Sequence, residues 1–332
     1  MKRVILIIIS CFVIQFSAAQ YDGYSSNSWE NQLEIEDLFL KHIDKTSFKK
    51  HLQKLTERPH VVGSKTNEEV IRYIGEVMNE AGLDVINYPY DVYLPKHPGS
   101  SLIEIVTPSR QVLNQKEDII SDDPFTKDSL LWKGWNAFSG SGDVTAEIVY
   151  ANYGRKEDFE TLKELGVDIK GKIVIARYGG NFRGYKAKFA EANGAAGLII
   201  YTDPKDSGFT KGLVYPEGPY YNESTIQRGS LLTTDFTGDP LTPFEPALPL
   251  DGKKKIKRLD PKEAQLHTIP VTPIGYGEAE KILGQMKGVV VPQSWQGGLP
   301  FTYRLEGGTS LTVRLKVDQK IDFVRATNVI GT

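Results

Sequence analysis

The chain has 332 residues, 40% apolar and 25% charged, with 40 Lys and Arg against 42 Asp and Glu. At roughly 150 residues per domain that length gives about two domains, and the composition excludes collagen-like, wholly disordered and multi-span membrane classes. A net charge of −2 offers no electrostatic basis for nucleic-acid binding. With 31 Gly and 18 Pro the chain is rich in turns, which argues against a helical bundle. One Cys excludes a disulfide scaffold and a thiolate zinc site, and five His are few for an enzyme that holds metal through imidazole.

The N-terminus reads as a secretory signal. Lys2 and Arg3 form a basic start, Val4 to Phe16 is apolar with few interruptions, and Ser17-Ala18-Ala19 supplies a cleavage site. The run is short for a span of about 20 residues, so the expected product is secreted or periplasmic, with a membrane anchor as the alternative. Residues 20–33 read as a polar, flexible leader. Phe48, Leu52 and Leu55 then recur at helical spacing over Thr46–Glu57, and Pro59 ends that helix. A second helix is expected over Lys65–Ala81, with Gly82 in the left-handed cap position. Leu83–Leu94 reads as a strand. From Val144 the pattern is regular: strand Val144–Tyr153, helix Lys156–Leu165, buried strand Lys172–Ala176, helix Tyr185–Asn193, buried strand Ala195–Tyr201. That β-α-β-α-β order predicts a small, mostly local sheet covered by helices. A long Gly/Pro/Tyr-rich loop follows from Asp203 to about Pro249, then a helix over Gly277–Met286 and strands within Thr302–Val317. Arg325 to Thr332 reads as a strand entering a further core.

No complete catalytic constellation is visible, and the five His are scattered. Two stretches have the character of ligand loops. Arg177-Tyr-Gly-Gly-Asn-Phe-Arg-Gly184 follows a buried strand, where ligands commonly bind in α/β sheets. Arg183 on that loop could fork onto a carboxylate, or serve an internal salt bridge. Gln227-Arg-Gly-Ser230 and Gly238-Asp-Pro-Leu-Thr-Pro243 form tight backbone that could aim carbonyls at a hard cation such as calcium, or be plain turns.

Taken together, Arg58-Pro-His-Val-Val-Gly-Ser64, Gly171-Lys-Ile-Val-Ile-Ala-Arg-Tyr178 with Asn181-Phe-Arg-Gly184, Gln227-Arg-Gly-Ser230, Gly238-Asp-Pro-Leu-Thr-Pro243, Ile269-Pro-Val271 with Pro273-Ile-Gly-Tyr276, and Asn328-Val-Ile-Gly-Thr332 resemble the glutamate carboxypeptidase II family in order and spacing. The resemblance covers about residues 35–332. It implies an exported zinc exopeptidase, acting on small peptides with a free C-terminal carboxylate, in which an aminopeptidase-like α/β protease domain is interrupted by an inserted protease-associated (apical) domain. Residues 34–97 would open the protease domain, 98–318 would be the apical domain, and 319–332 the return strand. The family's two zinc ions, general base and dimer-forming region match sequence beyond Thr332, so this chain alone is expected to be inactive, with no catalytic residue assignable. A homodimer would require that further region. By the same resemblance Arg183 would grip the substrate carboxylate and Ser230 would support it where relatives have Asn. Gly180 stands where relatives have Lys, which removes one positive charge. The backbone carbonyls of Thr242 and Glu245 would contribute to a structural calcium site. The alternatives are a non-catalytic binding module, as in the transferrin receptors of the same fold, and an inactive fragment.

Overall fold

The computed structural model describes residues 23–332, so the expected signal peptide at 1–19 lies outside the described residues. They fall into two units, one ending at Thr56 and one spanning Glu57–Thr332. The first consists of helices α1 (Ser26–Lys41) and α2 (Lys45–Thr56). The stretch 20–33, read from sequence as a leader, is thus helical in its second half. The cause is local: Ser25 and Ser28 form a capping box, each hydroxyl accepting from the other's backbone N–H. That satisfies end donors which would otherwise be left to water.

In the second unit, α3 (Lys65–Glu80) starts behind Ser64, whose hydroxyl accepts from Asn67 N at 3.1 Å. It ends where Gly82 takes φ +83°, the left-handed seat expected from sequence. The chain continues through β1 (Val85–Pro95), β2 (Ser100–Thr107), β3 (Gln111–Val112), β4 (Asn136–Ala137), β5 (Gly142–Tyr150), α4 (Lys156–Glu164), β6 (Ile173–Arg177) and α5 (Arg183–Ala192). After these come β7 (Gly197–Tyr201), the single turn α6 (Pro204–Ser207), β8 (Gly229–Ser230), β9 (Val271–Ile274), α7 (Tyr276–Leu283), β10 (Thr312–Asp318) and β11 (Ile321–Gly331).

The fold is mixed α/β. Seven strands form one sheet in the order β3-β2-β10-β5-β6-β7-β9. β5, β6, β7 and β9 run parallel, while β10 lies antiparallel between β2 and β5. The expected β5-α4-β6-α5-β7 run is present with its strands paired in sequence order, but the sheet is larger than expected, because β10 arrives from far along the chain to sit beside β5. Ile173, Val174, Ile175, Leu198, Ile199 and Ile200 have no exposed surface, as expected of parallel strands covered on both faces. Most of the long stretch after Asp203 is irregular, as expected, apart from α6 and β8.

β1 and β11 form a separate antiparallel ribbon, in register from Val85 opposite Gly331 to Pro95 opposite Ile321. Everything between them, the seven-stranded sheet included, is therefore an insertion between two paired strands. An ion pair locks the ribbon: Arg325 donates from Nε to Asp91 Oδ1 at 2.5 Å and from Nη2 to Oδ2 at 3.0 Å.

Candidate functional site

The site is built at the C-terminal end of β6. Arg177, the last residue of that strand, is only 1% exposed. Its Nη2 donates to Asn152 Oδ1 at 2.6 Å, and its guanidinium lies 4.1 Å from the Tyr153 ring centre. Tyr178 follows, also buried. Its hydroxyl donates to Gln227 O at 2.8 Å and accepts from Asn136 Nδ2 at 3.1 Å. Burial pushes the Tyr178 phenol up to about 12, against the opposing Asn136 hydrogen bond and the nearby Arg183 charge. The tyrosine therefore stays neutral and acts as a fixed wall.

Gly179 and Gly180 turn the chain, with φ of +90° and +74°. At Gly180 glycine is required twice over. The left-handed backbone strains any side chain, and a Cβ would stand 2.7 Å from Arg155 Nε and 2.8 Å from the Tyr153 Cβ. The space that a longer side chain at 180 would claim is taken by the Arg155 guanidinium, itself 5.2 Å from the Tyr153 ring centre. A positive charge is thus present beside this turn, delivered from another part of the chain.

Arg183 is not on the loop, as its sequence setting suggests, but is the first residue of α5, behind Phe182 at the N-cap. Helix formation reaches back two residues further than the apolar pattern from Tyr185 indicates. The half-buried guanidinium sits 5.6 Å from the Tyr178 ring centre and 5.5 Å from that of Phe182. Its Nε is buried and has no hydrogen-bond partner, and among the described residues no carboxylate pairs with it. The internal salt bridge left open by the sequence is therefore absent among the described residues. The floor beneath the guanidinium is Gly229, where a Cβ would overlap it and would stand 3.0 Å from Nε.

Gly229 and Ser230 are β8, parallel to Asn136 and Ala137 of β4. Asn136 Nδ2 also reaches Gly229 O at 3.2 Å, so one buried amide ties Tyr178 to β8. The Ser230 hydroxyl accepts from Leu232 N at 3.0 Å, which leaves its own proton free to donate. Arg183 and the Gly229–Ser230 strand, far apart in sequence, are thereby brought together.

Thr242 and Glu245 lie elsewhere, on a turn anchored to β1 through Asp239, whose Oδ1 accepts from Tyr93 N at 2.5 Å. Their carbonyls converge over Gly238: a Cβ there would stand 2.5 Å from Thr242 O and 3.3 Å from Glu245 O. Thr242 O already accepts from Glu245 N at 3.2 Å, and the buried Thr242 hydroxyl has no partner. His60, exposed, contacts Arg58 O through Nδ1 at 3.0 Å. Among the described residues no group of three or more His, Cys, Asp or Glu stands together as a metal site requires.

Sequence reasoning gave no role to Asn136, Tyr178 or Lys186. Lys186 has no exposed surface and carries three hydrogen bonds from its ammonium. One signal was available: Arg183, Lys186, Ala187 and Ala190 fall at helical spacing, so a lysine shares the helix face of two small apolar residues. Asn136 had no comparable signal.

The PA domain family matches residues 144–234. A glutamate carboxypeptidase 2 homolog of Caenorhabditis briggsae is 34% identical over 95% of this chain and 42% of its own length. Aminopeptidase NAALADL1 of Rattus norvegicus is 30% identical over 98% of this chain and 45% of its own. A probable glutamate carboxypeptidase of Arthroderma benhamiae is 38% identical over 62% of this chain and 29% of its own. The chain thus spans less than half the length of the curated relatives it matches. Among solved structures, an aminopeptidase from Aneurinibacillus sp. strain AM-1 aligns over 88% of this chain and 48% of its own, at 18% identity and a TM-score of 0.43.

Proposed function

We propose that this chain, a PA-domain-bearing relative of the glutamate carboxypeptidase II-like proteins, is the substrate-gripping part of an exported zinc-dependent exopeptidase that takes small peptides by their free C-terminal carboxylate. The observation that carries this reading is Arg183. A half-buried guanidinium with an orphaned Nε and no acidic partner among the described residues is a cation awaiting an anion. Its planar fork suits a carboxylate, and the desolvating faces of Tyr178 and Phe182 strengthen the attraction. The Ser230 proton is available for the same anion. Residues 98–318 would be the apical insert, and 34–97 with 319–332 the parts of the protease domain that flank it.

Zinc, which this reading requires, finds no holder among the described residues. What these residues do is bind and orient: a carboxylate fixed on Arg183 sets the register of the peptide relative to the bond to be cut. The Thr242 and Glu245 carbonyls are offered to a calcium ion, which takes six to eight oxygens and would need others besides these.

The test is Arg183→Ala in the full-length protein that carries these residues, assayed on a peptide and on its C-terminal amide. A charge-assisted hydrogen bond contributes about 1.5–3 kcal/mol, or about 10- to 150-fold in affinity. KM should rise by that factor for the free acid and hardly at all for the amide. Equal effects on both remove Arg183 from carboxylate binding.

A further inference from the structure

Lys186 lies one helical turn beyond Arg183 on α5 and has no exposed surface. Its three ammonium protons are all used: the acceptors are Tyr153 O, Gly179 O at 2.7 Å and Asn181 Oδ1 at 2.7 Å. All three acceptors are uncharged oxygens, and no carboxylate touches the ammonium. They come from two segments, the middle of the β5–α4 connection and the turn that leads into Arg183. Asn181 adds a second tie between the same segments, donating from Nδ2 to Gly154 O at 3.3 Å. Burying an ammonium without a directly paired carboxylate costs stability that an apolar side chain of similar volume would not. What the lysine supplies in return is geometry. Two successive left-handed glycines precede Asn181, and nothing in their own backbone preference would hold that turn in one shape.

We propose that Lys186 is the positioning residue for Arg183: by holding the Tyr153 and Gly179 carbonyls and the Asn181 amide oxygen at one point, it fixes the turn from which α5 starts and so sets the aim of the guanidinium. This rests on the reading of Arg183 as a carboxylate grip.

The arrangement carries a pH dependence. Burial brings the Lys186 ammonium down to about 7, with Asp158 and Asp206 opposing and Arg155 and Arg177 reinforcing the shift. The Tyr153 ring, 5.8 Å away, faces the same group, and its phenol is pushed up to about 12, chiefly by burial, so it stays neutral across this range. A neutral amine has two protons for three acceptors. Above pH 7 one of the three ties is lost, and the grip loosens.

The experiment measures binding of acetyl-glycyl-alanine and of its C-terminal amide to the full-length protein by calorimetry from pH 5.5 to 9. Wild type, Arg183→Ala, Lys186→Met and Lys186→Arg are compared. For wild type, Kd for the free acid should rise with pH around a midpoint near 7 while the amide is unaffected. Lys186→Met should weaken the acid about tenfold already at pH 6 and abolish the pH dependence. Lys186→Arg, which keeps a charge and several donors, should restore part of the affinity and shift the profile out of this range. If Arg183→Ala weakens acid binding and Lys186→Met does not, the positioning role is wrong and the grip stands. If neither wild type nor variant distinguishes acid from amide, the grip itself is wrong and the positioning role goes with it. Should Lys186→Met fail to fold, NMR on the wild type decides. The Lys186 Cε resonance and the amides of Gly179, Gly180 and Asn181 must titrate together near pH 7; turn amides indifferent to pH between 6 and 9 overturn the proposal.

Discussion

Replacing Gly229 by Ala should displace the Arg183 guanidinium without truncating it. The added methyl would land on the Arg183 guanidinium, within 3.0 Å of Nε. No real carbon tolerates that approach, so something moves. The backbone at 229 is held by its pairing with Asn136 and by the hydrogen bond from Asn136 Nδ2 to its carbonyl at 3.2 Å. The guanidinium is the far end of a flexible side chain, so it is the arginine that yields. The fold bears the cost of the backbone conformation: Gly229 has φ +152°, a sparsely populated region that favours glycine, where another residue costs about 1–3 kcal/mol. Ligand affinity loses up to the full worth of a charge-assisted hydrogen bond, about 1.5–3 kcal/mol, or about 10- to 150-fold. The assay is a double-mutant cycle on the full-length protein, with urea unfolding for stability and calorimetry for a free-acid peptide. Gly229→Ala alone should match Arg183→Ala in lost affinity, and adding it to Arg183→Ala should change affinity no further. Free-acid binding at wild-type strength in Gly229→Ala would refute the placement of the anion on this guanidinium.

Two other outcomes follow from the ends of the chain. Arg325, hydrogen-bonded to Asp91, holds that carboxyl below its usual 3.8 despite partial burial, with a backbone bond from Leu250 N at 2.7 Å assisting. A carboxylate depressed by folding contributes stability that is complete above its unfolded pKa and is lost as pH falls through its folded one. Wild type should therefore lose ribbon stability only below about pH 3.8, and Arg325→Ala should move the acid-unfolding midpoint upward in a circular-dichroism titration; an unmoved midpoint would show that the pair contributes nothing. At the other end, N-terminal sequencing of the exported protein should begin at Gln20, and retention of Met1 would remove the signal peptide from the reading.

The elements that sequence made legible are those whose stability is local. Phe48, Leu52 and Leu55 mark α2, Lys-Ile-Val-Ile-Ala marks β6, and Gly82 marks the end of α3, because periodicity, burial and cap chemistry act over a few residues. The place of β10 between β2 and β5 was not legible, since nothing in Thr312–Asp318 encodes which distant strands it will join. The same division holds at the site. Arg183 stands out beside glycines at the end of a buried strand. That its guanidinium rests over Gly229, and that Asn136 ties Tyr178 to the same strand, depends on a two-residue pairing of β4 with β8 too short to leave a pattern. Helix α1 was missed for the opposite reason: a reciprocal serine cap outweighs a composition that reads as coil.

The antiparallel ribbon has a consequence for how such a protein could arise and be dismantled. Since Pro95 stands opposite Ile321, the polypeptide leaves and re-enters the ribbon at one point, and the whole seven-stranded body is topologically a hairpin loop. A tight turn of a few residues could close the gap in its stead. The inserted body is thus joined covalently to the ribbon at a single place, while Asp239 and Leu250 reach back from it to Tyr93 N and to the Asp91 carboxylate, so exchanging the insert would also remove ties to β1.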